Sequence, residues 1–232
     1  MTDILLLERD FLAVRKPAGI PSQPDPSGDP DLLTLTAKTL AARGESDRLY
    51  PIHRLDRTVG GLVLFARTPK GAKELSEAVR ERKITKDYLA VTDGIPENES
   101  GIMTDFLYKD AARGKSYAVS TARRGAKEAS LSYRCLAARE GKALVAVRLA
   151  TGRYHQIRVQ FSSRGLPLTG DGKYGSHENC AVALYATHLA FSYGDRRFEL
   201  TDLPKTELFP WKLFSDIPTS ELFCSEKENS LL

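Results

Sequence analysis

Hydrophobic residues along the chain fall in short blocks set between polar turns. Residues 3–7 (DILLL) and 11–16 (FLAVRK) are two such blocks around a polar turn, and they predict two strands. Residues 17–30, PAGIPSQPDPSGDP, carry five prolines and predict an exposed loop. Asp29, Pro30 and Asp31 are start signals for a helix from Asp31 to Ala42. The run GLVLFAR (61–67) predicts a buried strand. Thr68 then caps a helix with Pro69 at its first position. That helix runs to about Arg82 and places Ala72, Leu75, Ala78 and Val79 on one face. Strands are expected at 84–94, 102–108, 129–139 and 142–150. Residues 151–165 read as a turn and then a helix stopped by Gly165, with Tyr154, Ile157 and Phe161 on one face. Two late strands, about 182–193 and 196–201, follow.

Runs of strands broken by a few helices argue for an α+β fold with a mixed, largely antiparallel sheet flanked by helices. No internal repeat is visible. No linker divides the chain, so residues 1–216 are expected to form one catalytic-sized domain, and residues 217–232, polar and acidic, a flexible tail. Hydrophobic content of 41% and charged content of 28% in 232 residues suit a soluble protein with a true core. The longest apolar runs are far too short to cross a bilayer, and MTDILLLERD has no signal-peptide pattern. Cys135, Cys180 and Cys224 lie far apart, which suggests free thiols in a reducing cytoplasm. No Cys/His spacing suits zinc, so no metal is expected.

Net charge is only +4, but its distribution is uneven. Residues 109–148 hold ten Lys/Arg against three Asp/Glu, or +7, and the rest of the chain sums to −3. A local excess of that size suits a polyanion such as nucleic acid, or simply a solvated basic surface.

Phosphate-loop and dinucleotide motifs are missing, and GDGKYG (170–175) reads as a tight turn. No G-x-S-x-G occurs. The histidines at 53, 155, 177 and 188 show no metal spacing, and His53 and His155 lie beside arginines, which favours packing or polar roles. Asp56 stands apart. It sits between Arg54 and Arg57 in YPIHRLDRTVGG, and GRYHQIR supplies Arg153 and Arg158. Positive neighbours favour an ionised carboxylate, which is a poor general acid but a serviceable nucleophile or base. A structural Asp–Arg pair is the other reading of the same residues.

Four blocks together carry a resemblance: RKPAGIPSQP (15–24), HRLDRTVGGLVLFART (53–68), KITKDYLAVTDG (83–94), and TGRYHQIRVQFSSRGLPLTGDGKYG (151–175) followed by ALYATHLAFSY (183–193). In content and order they resemble the RluA-type RNA pseudouridine synthases, from about residue 3 to about 214. One departure is Gly60, where the family usually has serine. The chain begins directly with this domain, so target selection is expected to come from it.

The resemblance implies the pseudouridine synthase catalytic fold and isomerisation of a uridine in ribosomal or transfer RNA, with no cofactor and no metal. It makes Asp56 the nucleophile, acting at the ribose C1′, directly or by a glycal route, or at C6 of uracil. It makes Arg158 the basic partner of that carboxylate and Tyr88, in Lys86-x-Tyr88, the residue beside the flipped uracil. A stacked base must leave the helix for such chemistry. By the same analogy Arg54 enters the gap, and His53, Arg57, Arg153, His155 and Gln156 are candidate substrate-binding residues. The basic stretch from Lys109 to Arg148 is expected to grip RNA. A cytoplasmic monomer is the default. An RNA-binding or folding factor on the same scaffold, without catalysis, is the alternative.

Overall fold

The structure is a computed structural model, and it describes residues 1–120 and 123–218. The expected tail therefore lies, from residue 219 on, outside the described residues. In chain order the elements are β1 (Asp3–Leu7), β2 (Phe11–Lys16), α1 (Leu32–Ala41), β3 (Tyr50–Pro51), β4 (Gly60–Ala66), α2 (Pro69–Arg80) and β5 (Thr85–Asp93). Then come β6 (Ser100–Asp110), β7 (Lys115–Val119), β8 (Lys127–Arg139), β9 (Lys142–Leu149), α3 (Gln156–Ser162), β10 (Leu184–Tyr193) and β11 (Arg196–Thr201). The α+β class and the largely antiparallel pairing are as expected from the pattern. The described residues gather into two compact units: Met1–Lys86 with Ala186–Pro204, and Asp87–Tyr185 with the residues from Lys205 on.

In the first unit β1, β2, β4 and β10 lie side by side; β3 adds to β4, and β11 to β10. β2 and β4 are antiparallel, with Phe11 opposite Ala66 and Lys16 opposite Gly61. All seven residues of β4 are buried. A strand covered on both faces reads as a continuous apolar run, which is why GLVLFA shows no alternation. Phe11, Leu62, Leu64, Leu75, Phe191 and Phe198 form the core. The Phe11 ring meets Phe191, Tyr193 and Phe198 edge-on at 5.0–5.3 Å, a favoured aromatic geometry. α2 begins as its sequence dictates: the Thr68 hydroxyl accepts from the Gly71 N–H at 3.1 Å, with Pro69 at the first position. Its expected face is the one packed inward, with Leu75 buried and Ala72, Ala78 and Val79 against the core. Asp31 caps α1 by accepting from the Thr34 N–H at 3.0 Å.

In the second unit the strand order is β5-β9-β8-β6-β7, each neighbour antiparallel. β7 was not expected from the pattern, because KSYAV is short, basic and weakly alternating. α3 differs from the single apolar face predicted for it: all six residues from Gln156 to Phe161 are buried. Each polar member has internal partners, although among the described residues the Gln160 side-chain oxygen has none. Gln160, for example, donates from Nε2 to Asp105 at 2.7 Å and to the Met103 carbonyl at 3.1 Å.

Candidate active site

Asp56 lies in the loop between β3 and β4, and that loop is held by residues far away in sequence. The antiparallel pairing of β2 with β4 brings the end of β2 beside the start of β4. Lys16, the last residue of β2, is fully buried. Its ammonium donates to the carbonyls of Val59 (2.8 Å), Pro17 (3.0 Å) and Arg57 (3.1 Å). The Val59 N–H donates to the Asp56 carbonyl at 3.0 Å, so Asp56 opens a tight turn whose far side rests on Lys16. On its near side the Ser22 hydroxyl donates to the Leu55 carbonyl at 2.8 Å and accepts the Leu55 N–H at 3.0 Å. Burial pulls the Lys16 pKa down to about 8, with the Asp56 charge opposing the fall and Arg57 adding to it. A half-buried carboxylate thus sits near a fixed ammonium, in a loop whose backbone is fastened on both sides of it. Downstream, Gly61 has φ +116°, and a Cβ there would lie 2.2 Å from the Ala186 carbonyl oxygen. Only glycine fits that approach.

Arg54 is exposed. Arg57 is also exposed and turns toward the 17–30 loop: Nε donates to the Gly19 carbonyl at 2.9 Å, and a terminal nitrogen pairs with Asp29. The Gly19 N–H returns a bond to the Arg57 carbonyl at 2.7 Å. His53 Nε2 accepts the Leu64 N–H at 3.1 Å, so the neutral ring carries its proton on Nδ1. Burial, with a smaller push from Lys86, lowers the His53 pKa to about 3. One nitrogen of this candidate binding residue is therefore committed to joining its loop to β4.

In the second unit Tyr88 is buried on β5. Its neighbour Asp87 makes a buried two-point pair with Arg148 across β9, at 2.7 and 2.8 Å. Arg158, on α3, is also buried. Its Nε and Nη2 donate to the two oxygens of Asp171 at 2.6 and 2.8 Å. The guanidinium carbon lies 5.0 Å from the centre of the Tyr174 ring. The Tyr174 hydroxyl accepts the Ser116 N–H at 2.9 Å and is bonded to His155 Nδ1 at 2.8 Å. The His155 ring stacks on Tyr154, centroids 3.8 Å apart. Gln156 Oε1 accepts from the Thr151 hydroxyl (2.8 Å) and the Arg153 N–H (2.9 Å), while Nε2 donates to the Ser130 carbonyl at 3.0 Å. His155 and Gln156 are thus buried parts of a supporting network. Arg153 is exposed and donates from Nε to the Glu128 carbonyl at 2.9 Å.

Not all of the basic stretch is turned to solvent as its sequence suggested. Arg148 is paired with Asp87, Lys142 with Asp93 and Glu178, and Arg139 with Asp216. Other cations lie over rings: Lys109 over Tyr154 (4.5 Å), Lys115 over Tyr174 (5.0 Å) and Arg123 over Tyr108 (3.6 Å). Lys16, Ser22, Asp171 and Tyr174 were not singled out by sequence reasoning. All four lie within blocks that carried the resemblance, and that was their only signal.

Among the described residues no three His, Cys, Asp or Glu side chains cluster as a metal site would, and no helix is long and apolar enough to cross a membrane.

A family model described as RNA pseudouridylate synthase matches residues 10–163. An uncharacterized RNA pseudouridine synthase of Zymomonas mobilis is 33% identical over 217 residues, 92% of this chain and 96% of that protein. The ribosomal large subunit pseudouridine synthase D of the same organism is 31% identical over 82% of this chain and 64% of its own length. Human RNA pseudouridylate synthase domain containing 4 shares the fold, with a TM-score of 0.74 at 24% identity over 91% of this chain and 92% of that one. Human RNA pseudouridylate synthase domain containing 1 shares it as well, with a TM-score of 0.75 at 22% identity, covering 100% and 94%. Family match and fold agree with the resemblance carried by the four sequence blocks, and the chain belongs to the RluA-type RNA pseudouridine synthases, isomerases that act on RNA.

Proposed function

We propose that this chain converts a uridine of ribosomal RNA to pseudouridine with Asp56 as the nucleophile. The observation that carries the reading is the fastening of the Asp56 turn by Lys16 and Ser22, with the Lys16 ammonium near the carboxylate. A positive charge there favours the ionised form, and a fixed backbone favours one attack geometry. The N1–C1′ bond of the nucleotide breaks and a C5–C1′ bond forms. N1 gains a proton and C5 loses one, so the reaction is a balanced isomerisation. The carboxylate acts at C1′, directly or through a glycal, or at C6.

Arg158 and Tyr88 complete the catalytic set by family resemblance. Arg54, exposed two residues before Asp56, suits the space left by a base swung out of its helix. Ribosomal RNA is favoured over transfer RNA because a relative covering 82% of the chain is named a ribosomal large subunit synthase.

The test supplies the purified protein with unmodified ribosomal and transfer RNA transcripts in separate reactions, and pseudouridine is measured chromatographically after digestion. Product in the ribosomal pool is expected. Product only in the transfer RNA pool would overturn the choice of substrate. Product in neither would favour an RNA-binding factor without catalysis.

A further inference from the structure

We propose that Asp171 and Tyr174, both from the GDGKYG turn, are positioning residues that fix the guanidinium of Arg158 for the reaction. The inference rests on the reading of Arg158 as a catalytic group.

Taken as a sequence, GDGKYG is a tight turn with no further role. In the structure it brackets one arginine. The Arg158 side chain is 4% exposed and that of Asp171 1%. A buried guanidinium with no counter-charge would be strongly disfavoured, and Asp171 supplies one. It does so through two parallel hydrogen bonds, at 2.6 and 2.8 Å, which fix the guanidinium plane as well as its place. The Tyr174 ring lies against the same group at 5.0 Å. That ring is held in turn, because its hydroxyl is bonded to the Ser116 N–H and to His155 Nδ1. His155 and Gln156, candidate substrate ligands by sequence, thus support α3 and the tyrosine that faces Arg158.

The bracket is itself rigid. Gly170 has φ +81°, and a Cβ there would lie 2.4 Å from the Ala181 carbonyl oxygen. The Asp171 N–H donates to the Leu168 carbonyl at 2.9 Å, and its own carbonyl accepts the Ser176 N–H at 3.2 Å. The Ser176 hydroxyl accepts the Gly170 N–H at 2.9 Å and bonds to Asp93 at 2.5 Å. A turn fastened at this many points delivers a carboxylate to one location. Burial by itself calls for good geometry in an ion pair. A group that must aim a catalytic arginine requires it as well, since small displacements of a reacting group are costly in rate.

Steady-state kinetics on ribosomal RNA transcripts labelled with tritium at uridine C5 test this, since every turnover releases the label to solvent. Asp171→Asn and Asp171→Glu are compared with Arg158→Lys, the double variant Asp171→Asn/Arg158→Lys, and Asp105→Asn. The last breaks the Arg164–Asp105 pair in the same unit and alters an acceptor of Gln160, so it controls for loss of a carboxylate contact elsewhere on α3. All are assayed well below their melting temperatures. Both Asp171 variants are expected to lose roughly 10- to 100-fold in kcat with KM within about twofold. Asp105→Asn is expected to keep kcat. The double variant is expected to be no slower than Arg158→Lys within about twofold, because Asp171 acts through Arg158. Unchanged kcat in a folded Asp171 variant, a change in KM alone, or a multiplicative loss in the double variant would overturn the positioning role. If Asp171→Asn does not fold, Asp171→Glu decides the matter. Full activity of Arg158→Lys would instead overturn the catalytic reading of Arg158, and the inference with it.

Discussion

His53 and Lys16 are the two residues whose ionisation the fold changes most clearly near the Asp56 loop, and both shifts come first from burial. In the unfolded chain His53 takes up a proton below about pH 6.5. In the folded protein it does so only near pH 3. Between those values the unfolded state binds more protons, so stability is full above about 6.5 and falls as pH drops toward 3. The slope from this one group is about 1.4 kcal/mol per pH unit. Chemical denaturation between pH 7 and 4 checks it. His53→Gln, which can still accept the Leu64 N–H, is expected to show a shallower acid slope than the wild type. An identical slope would contradict the assignment of a neutral, structural His53. Little of this could be read from the sequence. The family resemblance makes His53 a candidate substrate contact and its arginine neighbour favours a packing or polar role, but neither shows that its bond reaches eleven residues on, to β4. Lys16 reaches 43 residues to Val59, and Arg158 is joined to Asp171 thirteen residues away. Contacts of that kind follow from packing, which no local pattern encodes.

Elements with strong local signals were legible. Thr68-Pro69 and Asp31 are caps, and both helices start where those residues place them. β2 was read to the residue, because a compact apolar run ends there at a proline. β3 and β7 were not foreseen: one has two residues, and the other has a lysine and a serine in its five. α3 shows a further limit, since helical spacing finds one apolar face but says nothing of polar residues that are buried and paired. At this scale the key join is the end of β2 to the start of β4, with Lys16 under the Asp56 turn. Lys16→Met is expected to leave the Arg57 and Val59 carbonyls without their ammonium donor and to destabilise the protein by roughly 1–3 kcal/mol. The turn would then be free to shift, with a loss of about 100-fold in kcat. Urea unfolding and tritium release measure the two effects on one preparation. A Lys16→Met protein with wild-type stability and turnover would contradict the role given to this join.

For the molecule as a whole, the placement of charge was the feature least legible in the sequence. Residues 109–148 carry +7, yet Arg139, Lys142 and Arg148 are held by protein carboxylates, and Lys109, Lys115 and Arg123 rest over tyrosine rings. Net charge counts residues and cannot tell an internal ion pair from a surface one. The family was the most legible feature, because four ordered blocks specify it and the match to the RNA pseudouridylate synthase model agrees. The central claim above that level is the chemical role of Asp56. Wild type and Asp56→Asn, shown to be equally folded by circular dichroism, are incubated with ribosomal RNA transcripts carrying tritium at uridine C5. The account predicts tritium release by the wild type and none above background by Asp56→Asn, whose amide is a far weaker nucleophile. Release at a comparable rate by both proteins would contradict it.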